Sequence, residues 1–139
     1  MPLMKPRTNT TFWLAVIFTM GASQLTRWYF AKSITINMGL AFNIMLPTIL
    51  VFVVVIVFLG LMLWLFYSQK KNGIGWAMAL GMIVGGGASN FLDRILLSGG
   101  VADYWNLGNF SYINLADVAI TLGIIIALGI LIKNSWNQK

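Results

Sequence analysis

Asp93, Asp103 and Asp117 are the only acidic side chains in the chain, and they fall within one 25-residue stretch near its C-terminus. The chain contains no Cys and no His, which excludes thiol nucleophiles, disulfides, thiolate metal sites and every imidazole acid or base. What remains is carboxylate chemistry. Two carboxyls that approach within a few ångströms cannot both ionise readily, so one keeps a proton and the pair is an acid and a base together. The ionised member can take a proton from a water attacking a peptide carbonyl while the protonated member donates to the carbonyl oxygen. Such a pair needs neither metal nor cofactor, and none is expected here.

Each aspartate also has a plainer reading. Asp117 sits where an apolar helix begins, in Ile113-Asn114-Leu115-Ala116-Asp117-Val118-Ala119-Ile120. Three-residue spacing puts Asn114 and Asp117 on one helix face, and Asp117 taken alone is equally well a helix cap satisfied by backbone N–H groups. Asp103 lies in Gly99-Gly100-Val101-Ala102-Asp103-Tyr104-Trp105, a Gly-led loop that can bend it toward Asp117 or leave it as a solvated carboxylate. Asp93 precedes Arg94, and adjacent opposite charges suggest local pairing or a structural clamp. Lys32 and Ser33 are the residues a Ser/Lys peptidase would use, but chain neighbours rarely face each other.

The elements that must position these groups follow from composition. The chain has 139 residues, of which 59% are hydrophobic and 9% charged, a membrane-class composition. One integral membrane domain is expected, with apolar stretches over about residues 11–30, 47–67, 74–92 and 113–132. Each is near the ~20 residues that span the hydrocarbon core. An Asp at the centre of such a helix costs about 2.5–3.5 kcal/mol on insertion scales, so each acid needs an explanation. Gly81 and Gly85, followed by Gly86 and Gly87, offer a small face on which another helix can pack closely.

Lys5, Arg7, Lys70, Lys71, Lys133 and Lys139 all fall on one side of a four-span arrangement, which the positive-inside rule makes cytoplasmic, with both termini inside. Arg27, Lys32 and Arg94 share the opposite side with the aspartates, whose charges they cancel. The acids are therefore expected at the exoplasmic interface. Trp28, Tyr29 and Phe30 read as an aromatic belt ending a retained first span, which is favoured over a cleaved signal peptide ending near Gly21-Ala22-Ser23. The basic residues are scattered singly or in pairs without forming a stripe, so no nucleic-acid partner is expected.

Five blocks in order resemble bacterial lipoprotein signal peptidase, also called signal peptidase II. They are Gln24-Leu25-Thr26-Arg27, Asn37-Met38-Gly39-Leu40-Ala41-Phe42, Gly85-Gly86-Gly87-Ala88-Ser89-Asn90-Phe91-Leu92-Asp93-Arg94, Val101-Ala102-Asp103-Tyr104 and Asn114-Leu115-Ala116-Asp117. The chain departs from the family pattern at Ser23, where the family has Asp, at Arg27, where it has Lys, and at Ser89, where it has Gly. The polar lead-in between Phe42 and the second span is also short.

The resemblance implies that Asp103 and Asp117 are the catalytic pair and that Asn90, Asp93, Arg94, Asn114 and Asn37 support the site or the substrate. It implies an all-α membrane protein of four transmembrane helices with a small exoplasmic β-like cradle, formed partly by residues 34–42. The implied activity is removal of the signal peptide from diacylglyceryl-modified prolipoproteins just before the lipidated Cys, in the bacterial cytoplasmic membrane, by a monomer surrounded by membrane lipid. The rivals are a diverged or non-catalytic paralogue that binds prolipoproteins, and a small four-helix proton-coupled transporter.

Overall fold

The computed structural model describes residues 6–40 and 44–137. Lys5 and Lys139 of the basic set, and the Ala41-Phe42 end of the Asn37 block, lie outside the described residues. The protein is mostly helical, with α1 over Pro6–Tyr29, α2 over Thr48–Ser68, α3 over Gly73–Leu96 and α4 over Leu115–Trp136. Among the described residues α2, α3 (with the one-turn 3-10 helix Lys70–Asn72 leading into it) and α4 are long and apolar enough to cross a membrane. Helix α1 has 24 residues, but polar and basic residues at both its ends dilute its apolar middle.

Helix α3 is the hub. Its glycines let the neighbouring helices approach so closely that a Cβ at these positions would collide with them, and three consecutive ones address three different neighbours because successive residues turn by about 100°. A Cβ on Gly85 would lie 2.6 Å from the Val16 carbonyl oxygen of α1, one on Gly86 2.7 Å from the Ala116 carbonyl oxygen of α4, and one on Gly87 2.8 Å from Leu59 of α2. Gly81 repeats the α1 contact one turn earlier against Ala15, and Gly123 of α4 returns the α4 contact against Ala79. These pairings make α1 parallel and α4 antiparallel to α3, and Phe52 of α2 against Phe91 of α3, ring centroids 5.6 Å apart, with Leu59 against Gly87, makes α2 antiparallel too. Phe12 and Phe66 stack 3.9 Å apart and are fully buried, tying α1 to α2.

The helix directions bring the C-termini of α1 and α3 to the same end as the N-termini of α2 and α4. All three aspartates are at that end, while Arg7, Lys70, Lys71 and Lys133 are at the other. Between the helices, among the described residues, four short strands form two antiparallel pairs. Strand β1, Thr35–Asn37, pairs with β2, Val101–Asp103, so that Thr35 is opposite Asp103. Strand β3, Trp105–Asn106, pairs with β4, Tyr112–Ile113. The small β-like element expected in the 34–42 region is thus present as β1.

Helix α3 runs four residues past the expected end at Leu92 and carries Asp93 and Arg94 inside, 3% and 5% exposed. It stops at a turn in which Ser98 and Gly99 take positive φ, with the Gly99 amide donating to the Arg94 carbonyl at 2.8 Å. That turn reverses the chain into β2.

A methyl group at a close helix contact should cost far more than one in open space. Gly85→Ala is expected to destabilise the protein by roughly 1–3 kcal/mol through overpacking. Gly60→Ala, where nothing lies within 4 Å of the added Cβ, should be neutral or slightly stabilising. Thermal unfolding of both variants in detergent micelles checks the pair, and equal melting temperatures would contradict this packing.

Candidate active site

Two elements deliver the two candidate acids to one place. Asp103 ends β2 and is 1% exposed, which overturns the reading of a solvated loop carboxylate. Its Oδ2 accepts from Asn37 Nδ2 on β1 at 3.1 Å, and its Oδ1 accepts from Asn114 Nδ2 at 2.9 Å. Asp117 is the third residue of α4 and half-buried. Its Oδ1 accepts from Asn90 Nδ2 of α3 at 2.9 Å, and its Oδ2 accepts from the Asn114 backbone N–H at 3.2 Å.

Asn114 joins the two. It is the N-cap of α4, and its Oδ1 accepts from the Asp117 backbone N–H at 2.9 Å, so residues 114 and 117 close a reciprocal capping box. The side chain's other end donates from Nδ2 both to Asp103 and to Asn90 Oδ1 at 3.0 Å. The helix-cap reading of Asp117 therefore describes one of its oxygens and leaves the other facing Asn90. Tyr104 completes the rim: its hydroxyl accepts from the Leu115 N–H at 2.9 Å, and its ring stacks on Phe30 at the end of α1, 5.1 Å away.

Arg94 does not pair with its neighbour Asp93. Consecutive residues on α3 point to different sides, and each finds its own partners. Arg94 donates from Nη1 to the Gly99 carbonyl at 2.7 Å and from Nη2 to the Gly39 carbonyl at 2.8 Å. It thereby clamps the segment after β1 to the turn before β2. Asp93 instead forms an ion pair with Arg27 Nη1 of α1 at 3.4 Å and also accepts from Gln24 Nε2 and the Ala102 backbone N–H. Lys32 and Ser33 lie exposed in the one-turn 3-10 helix after α1.

All seven residues singled out in the sequence thus meet at one end of the bundle: Asn37, Asn90, Asp93, Arg94, Asp103, Asn114 and Asp117. The sequence reading passed over Gln24, Ser89 and Tyr104 as site residues. Tyr104 was marked by its place in the Val101-Ala102-Asp103-Tyr104 block but by nothing that gave its hydroxyl a role, and Gln24 meets Ser89 across 65 positions, a distance no local pattern spans. A groove of about 420 Å³ opens beside Asn37, lined by residues that include Ile36, Met38, Met45, Phe110 and Tyr112.

Electrostatics separate Asp103 from an ordinary surface carboxylate. Burial pushes the Asp103 carboxyl from its usual 3.8 up to about 6. Hydrogen bonds from Asn37 and Asn114 oppose that shift, while the charges of Asp117 and Asp93 add to it. Between pH 4 and pH 6 the folded protein therefore holds a proton on Asp103 that the unfolded chain has released. Its contribution to stability falls as pH rises through that window. The difference in melting temperature between the wild-type protein and Asp103→Asn should thus shift in favour of the wild type on going from pH 7 to pH 5, measured by thermal unfolding in micelles. A difference independent of pH would contradict the raised value.

Known proteins resemble this chain in sequence and in fold. The sequence profile of the family described as Signal peptidase (SPase) II matches residues 8–133. The lipoprotein signal peptidase of Shouchella clausii (strain KSM-K16) is 28% identical over 146 aligned residues, covering 91% of this chain and 96% of that protein. The lipoprotein signal peptidase of Streptococcus pneumoniae (strain ATCC BAA-255 / R6) is 29% identical, covering 88% of this chain and 92% of that one. Among solved structures, a bacterial membrane enzyme determined by the in meso method at 2.3 Å shares the fold, with a TM-score of 0.82, 24% identity, and 94% of this chain and 92% of that one covered. A second, at 1.9 Å, superposes with a TM-score of 0.76 at 23% identity over 89% of this chain and 94% of that one. With a profile match across nearly the whole length, the chain belongs to the signal peptidase II family.

Proposed function

We propose that this protein is a membrane aspartic endopeptidase that removes the signal peptide from diacylglyceryl-modified prolipoproteins, with Asp103 and Asp117 as its catalytic pair. The observation that carries this reading is the Asn114 side chain, hydrogen-bonded at once to the Asp103 carboxylate and to the Asp117 backbone N–H. It ties β2 to the first turn of α4 and brings the acids to a common rim.

The ionised carboxylate takes a proton from water as that water attacks the carbonyl carbon before the lipidated Cys. The protonated carboxyl donates to the carbonyl oxygen, and the leaving amine is protonated as the C–N bond breaks. With Asp93 paired to Arg27, one shared proton on the dyad leaves a single carboxylate to balance Arg94. The apparent pKa values belong to the pair.

The substrate explains where the site lies. A precursor held by acyl chains and an apolar signal helix presents its scissile bond at the membrane rim. There the groove beside Asn37 receives the extended polypeptide. Helix α1 serves as the fourth span: Leu14, Ile17, Phe18 and Leu25 are all more than half exposed and face lipid. The basic end of the bundle lies in the cytoplasm, so the site faces outward from the bacterial cytoplasmic membrane, in a monomer. A proton-coupled transporter is disfavoured because Asp103 lies on a strand outside the helices, while Asp93 and Asp117 sit in the last turn of α3 and the first turn of α4 and not at mid-span.

Asp103→Asn and Asp117→Asn should each lower cleavage of a diacylglyceryl precursor peptide by about 10²–10⁴-fold, the usual worth of a general acid or base. The precursor without its lipid should be cut far more slowly. Unchanged processing by either variant removes that residue from the pair, and equal cutting of both peptides removes the lipid requirement. The pH profile of kcat/KM should be bell-shaped. Its alkaline limb marks loss of the shared proton in the free enzyme, above the ordinary carboxylate range because burial raises the Asp103 carboxyl, and the corresponding limb of kcat should lie higher because bound substrate excludes water. A flat profile from pH 4 to 8 contradicts a dyad.

A further inference from the structure

We propose that Asp93 is the positioning residue for Asp103, and that Arg27 and Gln24 of α1 together with Ser89 of α3 hold it in that role. This rests on the peptidase reading above and adds to it a chain of contacts from α1 to the reacting acid.

Asp93 uses its two oxygens for two different tasks. Oδ1 accepts from Gln24 Nε2 at 3.0 Å and pairs with Arg27 Nη1 at 3.4 Å. Oδ2 accepts from the Ala102 backbone N–H at 3.1 Å. Ala102 immediately precedes Asp103, so this bond fixes the backbone one residue before the candidate acid. The strand needs such an anchor. Strand β2 has three residues and, among the described residues, one partner strand, β1, and a two-stranded pair this short supplies little stability of its own. Asp93 is buried on the rigid hub helix, and its carboxylate can hold the strand only if something holds the carboxylate.

Ser23, Arg27 and Ser89 line one small recess together with Asp93 and Asn90. The Ser23 hydroxyl is buried and, among the described residues, makes no hydrogen bond, so it takes no donor away from Asp93. The Ser89 hydroxyl, which a glycine could not supply, accepts from Gln24 Nε2 at 2.9 Å and steers that amide to a place where it also reaches Asp93. Gln24, Arg27 and Ser89 thus form one unit around one carboxylate.

The chain's three aspartates make the test direct, because protein labelled with [13Cγ]aspartate gives one carboxyl signal for each. The charged and titratable groups facing Asp103 are Asp93 and Arg94 from α3, Asp117 from α4 and Tyr104 from its own segment, with Arg27 of α1 behind Asp93. In Asp93→Asn, kcat on a diacylglyceryl precursor peptide should fall by about 10²-fold, the cost of a small misplacement of a reacting group, with KM little changed. The Asp103 signal should titrate at lower pH than in the wild type, because a neighbouring negative charge is gone. Arg27→Ala should lower kcat in the same way, and Arg27→Lys should recover most of the loss.

Wild-type kcat together with an unmoved Asp103 titration in Asp93→Asn would overturn the proposal. So would activity lost only in proportion to the folded fraction, or a Lys variant no better than Ala at position 27. If Asp93→Asn does not fold, the two Arg27 variants decide the matter. If the wild-type enzyme cuts no precursor, the peptidase reading fails, while the Asp103 signal still reports whether Asp93 acts on it.

Discussion

The site hangs on a single carboxamide. Asn114 must be a cap, a bridge and a donor at once: its oxygen takes the Asp117 amide, and its nitrogen serves Asp103 and Asn90. No other side-chain type here could do all three, because only an amide offers an acceptor and two donor hydrogens in a fixed plane. Asp at 114 would cap the helix but would set a third negative charge between the two acids. Ser would cap and fail to reach. The exchange of hydrogen bonds with Asp117 is what starts α4 where it starts. The same residue that begins the helix therefore also fixes the distance between strand and helix, and the local folding signal and the functional geometry are one object.

That object works only if the elements on either side of it cannot drift, and the hub helix supplies the rigidity. Helix α3 reaches its three neighbours through backbone-close contacts at Gly85, Gly86 and Gly87. In lipid there is little hydrophobic drive between helices, so close van der Waals packing must provide the association. The same helix carries Asn90, Asp93 and Arg94 on the turns just beyond the glycines. Tight packing below and polar contacts above are thus consecutive turns of one element. The cost of burying Arg94 and Asp93 is offset because each is hydrogen-bonded to groups from another segment.

Much of this was legible before the structure. Apolar runs located the helices within a few residues, because apolarity over about 20 residues is a strong signal in a membrane chain. The boundaries failed in two instructive places. Helix α1 begins at Pro6, ahead of the apolar run, since polar Thr and Asn residues can continue a helix once it leaves the hydrocarbon region. Helix α3 passes through Asp93 and Arg94, which read as an end because charges usually mark one. Here they face inward to partners. The strands, two or three residues each, are too short for alternation to reveal them.

The candidate site was legible as a set of residues and hidden as a set of pairings. Composition alone left three carboxyls, and their clustering pointed to a shared site. Which acid pairs with which group depends on contacts between positions far apart in the chain. Asp93 shows the difference most clearly: sequence adjacency favours Arg94, whereas helix geometry turns the two side chains apart and gives Asp93 to Arg27, one helix away. Adjacent opposite charges on a helix are poor candidates for a mutual clamp, because positions i and i+1 do not face each other. The three- and four-residue spacings, and the parallel course of α1 beside α3, carry the information that adjacency does not. Gln24 and Ser89 meet through that course, as do Arg27 and Asp93 one turn further along.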